Sequence, residues 1–339
     1  SVGLMIDGVD MTGLGGAATL FDVEQVEILR GPQGTAFGAN ALAGAINIKS
    51  KQPTKKTEGY IDAEIGNYGK KTLGGAISGA LSNKLQGRFA INKTLSDGYM
   101  ENVHLNRGDT NNIDETVARA QLSWQANDNN NFSFSLLQAN IDNGYDAFSL
   151  DNNRTTYSDE PGKDTQDTTA SSIKWENSYN DSFNIEVLAS HSESDVVYAY
   201  DEDWAYGTYE PDPSYACIAA SGPCIAAFNY DATDEYIRNY ERSNIDIRFL
   251  SAPSSRLFNE STSWILGIYH LKRDESLTRN HIGNYLDGSQ FTSELKQAST
   301  ALYTELSSQL STETTLTYGV RIEDWTNDYQ DSGNINENK

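Results

Sequence analysis

From Glu58 onward, apolar and polar side chains alternate in steps of two, and nothing else in the chain limits its fold so tightly. Leu316, Tyr318, Val320 and Ile322 share one phase, while Thr315, Thr317, Arg321 and Glu323 take the other. Ile245, Ile247 and Phe249 alternate with Asn244, Asp246 and Arg248, and Ala118, Ala120, Leu122 and Trp124 with Arg119, Gln121, Ser123 and Gln125. Ile61, Ala63 and Ile65 alternate with Asp62 and Glu64. Residues two apart on a strand project to the same side, so the sheet has one apolar and one wet face. The wet phase holds charges, which a dry inter-sheet core would not accept.

Connection lengths narrow the fold further. Short polar turns fall at Ser82 to Lys84, Asn127 to Asn130, Asn180-Asp181, Ser251 to Glu260 and Ser311-Thr312. Longer stretches fall between them, at Ser96 to Asp114, Asp142 to Asp167, Ala199 to Glu235 and Arg279 to Thr292. Only Asn67 to Lys70 is short where a long loop is due. Short turns at one end and long loops at the other are the pattern of an outer-membrane barrel. A soluble β-sandwich has no such alternation. The count is about eleven strands of roughly 10–16 residues, the last from Glu313 to Trp325, and bacterial single-chain barrels close with an even number.

Composition alone does not separate barrel from sandwich. Hydrophobic residues make up 37% of 339, with 19 Tyr, 11 Phe and 5 Trp. No apolar run reaches the ~18 residues of a membrane helix, but a transmembrane barrel spreads its apolar surface over alternate positions. Tyr60, Tyr68, Tyr99, Trp124, Tyr179, Phe183, Tyr198 and Trp325 lie near strand ends, where aromatic girdles are expected.

The first fifty residues are of another kind. Leu20 to Lys51 sets a β-type run (Val23, Val26, Ile28, Leu29) against a turn punctuated by Gly31, Pro32, Gly34 and Gly38, then small residues, then Ala45 to Lys49. Glycines at this density serve close backbone approach or positive φ. No Lys-Ser/Thr follows them, so a phosphate loop does not fit. Arg30-Gly31-Pro32-Gln33-Gly34, Phe37-Gly38 and Ala43-Gly44-Ala45-Ile46-Asn47-Ile48, preceded by Met5-Ile6-Asp7-Gly8-Val9, resemble the C-terminal half of the plug domain of TonB-dependent outer-membrane receptors.

That resemblance implies an all-β chain: an antiparallel transmembrane β-barrel, with about eleven of 22 strands present, around a partial α+β plug. Residues 1–55 would be the C-terminal part of the plug and 56–339 the N-terminal half of the barrel. It implies a Gram-negative outer-membrane receptor that binds a scarce nutrient, most often a ferric siderophore, otherwise haem, cobalamin or a saccharide. Its partners would be TonB, gripping an N-terminal segment absent from this chain, and outer-membrane lipid and lipopolysaccharide. Signal peptide and TonB box are missing from the sequence, so a fragment is expected, with two bare sheet edges. Asp7, Gly8, Arg30, Gly31, Pro32, Gly34, Gly38, Gly44 and Asn47 carry the plug motif. Arg30 is placed to latch plug to wall through Asp62 or Glu64, or to pair locally with Glu24 or Glu27.

Formal net charge is −23, which argues against a nucleic-acid partner. Between Asp195 and Glu235 stand nine carboxylates and no Lys or Arg, either a solvated loop or a field that gathers cations. The same stretch offers Tyr200, Trp204, Tyr206, Tyr209 and Tyr215, so stacking on a hydroxamate-type, neutral or cationic ligand, or on a saccharide, is easier to argue than anion capture. Cys217 and Cys224 are close enough in sequence for a local disulfide in an oxidising compartment, or for half a zinc site. His104, His191, His270 and His281 lack ligand spacing and are expected in the lumen or loops, with no metal and no cofactor. Neither Gly-x-Ser-x-Gly nor His-Glu-x-x-His occurs, and no enzyme is expected. A soluble β-rich adhesin or binding module is the reading from another class, and detergent-free solubility would favour it.

Overall fold

The computed structural model describes residues 2–17, 20–31, 43–150, 152–178, 182–206, 231–283, 290–333 and 336–338. A small sheet comes first, from β1 (Val2–Ile6), β2 (Val9–Asp10), β3 (Val23–Arg30) and β4 (Gly44–Ser50), in the order β2-β1-β4-β3. The pair β1–β4 is parallel and the others antiparallel. Asp7 and Gly8 turn β1 into β2 with φ of 49° and 83°, the left-handed pair that a two-residue hairpin demands. The Asp7 carboxylate accepts the Ser50 N–H (2.8 Å) and hydroxyl (2.7 Å), tying that turn to the end of β4. At Gly44, φ is +153° and a Cβ would stand 2.6 Å from the Leu29 carbonyl oxygen, so only glycine lets β3 and β4 meet there. Among the described residues this unit carries a 3-10 turn at Gly15–Ala17 and no α-helix.

The remaining strands follow in chain order: β5 (Glu58–Ile65), β6 (Lys71–Ala80), β7 (Leu85–Ser96), the two-residue β8 (Glu101–Asn102), β9 (Ile113–Asn127), β10 (Asn130–Tyr145), the two-residue β11 (Thr155–Thr156), β12 (Gly162–Asn177), β13 (Phe183–Asp201), β14 (Ala232–Ser251), β15 (Thr262–Gly283), β16 (Gln290–Gln309), β17 (Thr315–Asp331) and β18 (Asn336–Asn338). Apart from β8 and β11, which pair with each other, they form one antiparallel meander, with β5 at one edge and β18 at the other. The expected eleven long strands are all present, joined by short turns at one end and loops at the other. From β13 to β16 they run 19 to 22 residues, longer than expected, and β17 continues to Asp331. The extra length has polar side chains on both faces, such as Glu193 and Asp195 on the outside of β13, so no apolar period announces it.

The two phases sort as the alternation requires. Leu316, Tyr318, Val320 and Ile322 face outward and are exposed, as are Ile61, Ile65, Leu122 and Ile268. From Leu316 to Ile322 the apolar run is about 20 Å long, against the ~25 Å lipid-facing band of a transmembrane barrel. Its short-turn margin is aromatic: Trp124 stacks on Phe132 (5.2 Å between centroids), Phe132 on Trp175 (6.4 Å), and Phe183 meets Phe249 edge-on (5.8 Å).

This belt corrects the expected girdle. Trp124 and Phe183 belong to it, but Tyr60, Tyr198 and Trp325 sit on the inner face, because strand phase and not position along the strand decides the side. Tyr68 and Tyr99 lie at the loop-side rim, and Tyr179 is outside the described residues. Two histidines are corrected likewise. His191 (against Ser243) and His270 (against Thr300) lie on the outer face beyond the belt.

The small sheet packs on the inner face of the large one. Ile6, Val9, Met11, Leu14 and Ile48 are buried against Val117, Leu137, Ala139 and Ala170 of β9, β10 and β12, an apolar landing on an otherwise polar surface. Replacing outward-facing Leu302 by Arg should therefore cost about 2–4 kcal/mol of folding free energy in lipid vesicles. Thr292→Arg, ten positions nearer the loops on the same face of β16, should cost under about 1 kcal/mol. Urea titration of the full-length protein in vesicles measures both.

Candidate binding site

Two polar regions lie against the inner face: the contacts that hold the small sheet, and an aromatic cluster at the loop end. In the first, Arg88 of β7 grips Asp22 with both arms, Nε to Oδ2 at 2.8 Å and Nη2 to Oδ1 at 2.5 Å, while Tyr60 donates to Oδ1 at 3.1 Å. Both charged side chains are almost fully buried. Arg119 of β9 donates to the Phe21 carbonyl. Arg242 of β14 donates to the Thr12 carbonyl (2.7 Å) and to Glu275 (3.0 Å). Ser172 donates to the Asp7 carbonyl at 2.9 Å.

Arg30 takes no part in this set. It is exposed; Glu64 pairs with Lys70 instead, and Glu27 with Lys49 and with Asn47 of the motif. The expected Arg30 latch to Asp62 or Glu64 is thus replaced by one of reversed polarity, with the carboxylate on the small sheet and the cation on the large one. Asp7, Gly8, Gly44 and Asn47 serve turns and strand contacts, and Gly31 (φ +84°) ends β3. Pro32, Gly34 and Gly38 fall outside the described residues.

The second region gathers rings from three strands and two loops. Tyr145 meets Tyr198 edge-on at 4.9 Å; Phe148 stacks on Trp204 at 4.8 Å and 4°, and meets Tyr200 edge-on at 5.9 Å. Asp234 organises the polar side of the cluster. Arg279 holds it with Nε to Oδ1 at 2.8 Å and Nη2 to Oδ2 at 2.7 Å, and the Tyr236 hydroxyl donates at 2.8 Å. Burial works to push the Asp234 carboxyl up, but Arg279 and Tyr236 hold it below the usual range. Burial and the nearby Asp234 charge push the Tyr200 hydroxyl up to about 12, so it stays a neutral donor. Arg238 and Arg279 each lie over the Tyr236 ring, at 4.9 and 5.3 Å.

Of the aromatic residues singled out from the sequence, Tyr200 and Trp204 fall in this cluster. Tyr206 stacks on His104 at 4.2 Å beside it. Tyr209, Tyr215, Cys217 and Cys224 lie outside the described residues. Tyr145, Phe148, Tyr198 and Tyr236 were missed, although Tyr198, Tyr200 and Tyr236 share the inward phase of adjacent strands. Arg238 and Arg279 change the electrostatics expected there: the Asp195–Glu235 stretch has no cation of its own, but β14 and β15 bring two. Among the described residues no group of side chains is arranged to hold a metal ion.

No family model matches the chain. The pesticin receptor of Yersinia enterocolitica is 32% identical over 132 residues, 38% of this chain and 19% of that protein. The vitamin B12 transporter BtuB of Vibrio vulnificus is 28% identical over 148 residues, 42% of this chain and 24% of that one. In structure, the ferric yersiniabactin uptake receptor FyuA from Yersinia pestis superposes with a TM-score of 0.79 at 18% identity, over 100% of this chain and 50% of its own. The ferripyoverdine receptor of the Pseudomonas aeruginosa outer membrane gives 0.73 at 15%, over 99% and 46%. Relatives and structural neighbours alike are TonB-dependent outer-membrane receptors of Gram-negative bacteria, and the chain carries part of their fold. It spans about a quarter or less of the length of these curated relatives and half of the structural neighbours.

The buried Asp22–Arg88 pair makes a direct prediction. Arg88→Met in the full-length receptor strands the Asp22 charge and should cost about 3–5 kcal/mol in the opening free energy of the Asp22–Arg30 segment. Adding Asp22→Asn should recover most of that loss. Native-state hydrogen exchange reads both.

Proposed function

We propose that this chain is part of a receptor that captures a scarce extracellular nutrient, foremost a ferric siderophore, and imports it with energy delivered through TonB. On this reading residues 1–55 are the C-terminal part of the plug and residues 56–339 the N-terminal half of a 22-stranded wall. The observation that carries it is a small sheet seated on the polar inner face of an outward-apolar meander, beneath a cluster of aromatic side chains at the loop end. A plug there closes the lumen; the rings above it offer a ligand a stacking surface before it reaches the plug. Nothing in the arrangement of the described residues calls for bond-making chemistry, and the proposed role is binding and transport, not catalysis.

Relatives are named for ferric enterobactin, ferric pyoverdine, pesticin and vitamin B12, and the choice among ligand classes turns on the aromatic cluster. Arg279 is neutralised by Asp234, whereas Arg238 has no carboxylate partner among the described residues and leaves a cation beside the rings. That favours a ferric complex of aromatic surface with at most partial negative charge over a saccharide. Haem and cobalamin remain the alternatives within the same mechanism. Outside, beyond the apolar belt, Glu193, Asp195, Glu241 and Asp274 face the zone of the lipopolysaccharide headgroups, which they would meet through divalent cations.

Deletion of the full-length gene should abolish growth on at least one ferric siderophore as sole iron source, with complementation restoring it. Unimpaired growth across the siderophores, haem and cobalamin would overturn the reading. In purified receptor, Tyr236→Ala should weaken binding of that ligand about tenfold, the scale of one lost stacking and cation–π contact. Trp124→Ala, in the outer belt, should leave affinity unchanged.

A further inference from the structure

The turn after β13 carries Trp204 onto Phe148, and its geometry depends on one buried carboxyl. Trp204 has φ of +63°, a left-handed conformation unfavourable for a bulky residue unless its surroundings hold it. Asp201 Oδ1 accepts the N–H groups of Asp203 (3.2 Å) and Trp204 (3.1 Å). Asp203 Oδ1 accepts the N–H of Ala232 (3.2 Å), and the Glu202 N–H reaches the Ala232 carbonyl (2.8 Å). The Glu202 carboxylate meets His281 of β15.

Asp201 is only 5% exposed, and its second oxygen, Oδ2, is buried without a well-formed hydrogen bond, with the Asp203 carboxyl and the Ser158 hydroxyl as the polar side chains that act on this carboxyl. The groups around this turn are mostly of one sign. Glu202 and Asp203 come from the turn itself, Asp159 and Glu160 from the loop before β12, and Asp231 from just before β14, with two imidazoles among them, His104 near Asp159 and His281 on Glu202. An ionised Asp201 would place a buried charge beside a second carboxyl, with only the Ser158 hydroxyl and the turn's N–H groups to offset it. A proton removes the charge and turns Oδ2 into a donor.

We propose that Asp201 is a proton-operated latch: protonated, it fastens the Trp204 turn against Phe148; ionised, it lets the turn lift away. Burial, and after it the Asp203 carboxyl, outweigh the Ser158 hydroxyl and the Trp204 N–H and push the Asp201 carboxyl up to about 8. Released into water it would titrate near the ordinary value of about 3.9. The closed form therefore holds a proton that the open form gives up between those values. The latch is tightest below about pH 4, loosens as pH rises through that window, and loosens no further above about pH 8. That the turn borders a ligand site rests on the function proposed above; the latch does not, and its test needs no ligand.

Hydrogen exchange of the 201–206 segment, followed in the full-length receptor in detergent micelles from pH 6 to 9.5 and corrected for intrinsic exchange, reads the opening. In the wild type, protection should fall by up to about tenfold per pH unit between 6 and 8 and then level off. Asp201→Asn keeps the capping oxygen and supplies a permanent donor, so its protection should be flat. Asp203→Asn keeps the acceptor for Ala232 but removes the neighbouring charge, and should move the levelling point to lower pH. Flat protection in the wild type, or the wild-type slope surviving in Asp201→Asn, would overturn the latch. Should Asp201→Asn not fold, an unmoved levelling point in Asp203→Asn overturns it alone.

Discussion

Three arginines on the inner face of the large sheet, Arg88, Arg119 and Arg242, decide how the rest of this molecule holds together. A wall that is apolar outside and wet inside cannot hold a plug mainly by hydrophobic contact, because its inner face must also tolerate water. Among the described residues the fully buried apolar contact gathers in one patch on β9, β10 and β12, with Val196 and Tyr240 at its margin. Around that patch the grip is polar. Guanidinium groups reach out from adjacent parts of the sheet and take a carboxylate and two backbone carbonyls. Such contacts hold firmly while water is excluded, yet each has a hydrated alternative as soon as water enters. On the proposed reading, that is the property a plug needs if it is to stay seated and still be moved.

The same separation of faces runs the length of the strands. In the belt, the outward phase is aliphatic with an aromatic margin; beyond it, both phases turn polar and the strands continue as exposed hairpins. The inward phase changes character over the same distance, from arginines beside the small sheet to tyrosines at the loop end. Because one strand carries belt, grip and ring cluster in sequence, their relative heights are fixed by register alone. β13 shows this over one strand: Phe183 in the aromatic margin, Leu188 against Gly8 of the small sheet, and Tyr198 and Tyr200 in the cluster above.

How much of this could be read beforehand follows from which signals are local. Strand number, the alternation of turns and loops, and the small-sheet motif are legible because each is written in neighbouring residues: a period of two, a polar turn, glycines where φ is positive. Side-chain partners across the sheet are not. Arg30 looked like the latch because it sits in a conspicuous motif, whereas Asp22 and Arg88 are 66 positions apart and nothing near either one marks the pair. Tyr60, Tyr198 and Trp325 were placed in a girdle by their distance from strand ends, yet a shift of one residue in phase moves a ring from lipid to lumen. The cations of the aromatic cluster were invisible for the same reason, since Arg279 reaches Asp234 only through the pairing of β14 with β15.

Net charge takes on a different meaning once the sides are known. With 25 basic residues against 48 acidic, cations are scarce, and several of them meet a buried carboxylate or carbonyl of the small sheet. The surplus acids accumulate in the loops and on the outer face beyond the belt, where water and counter-ions screen them. A carboxyl drawn into the loop cluster without a cation of its own, as Asp201 is, has only N–H and hydroxyl donors to hold its charge, and burial favours its proton. Acid excess outside and scarce arginines inside are thus two sides of one arrangement. The wall gives arginines to the small sheet, to Asp234 and to carboxylates of its own strands, and the turn beside the rings is left to depend on protons.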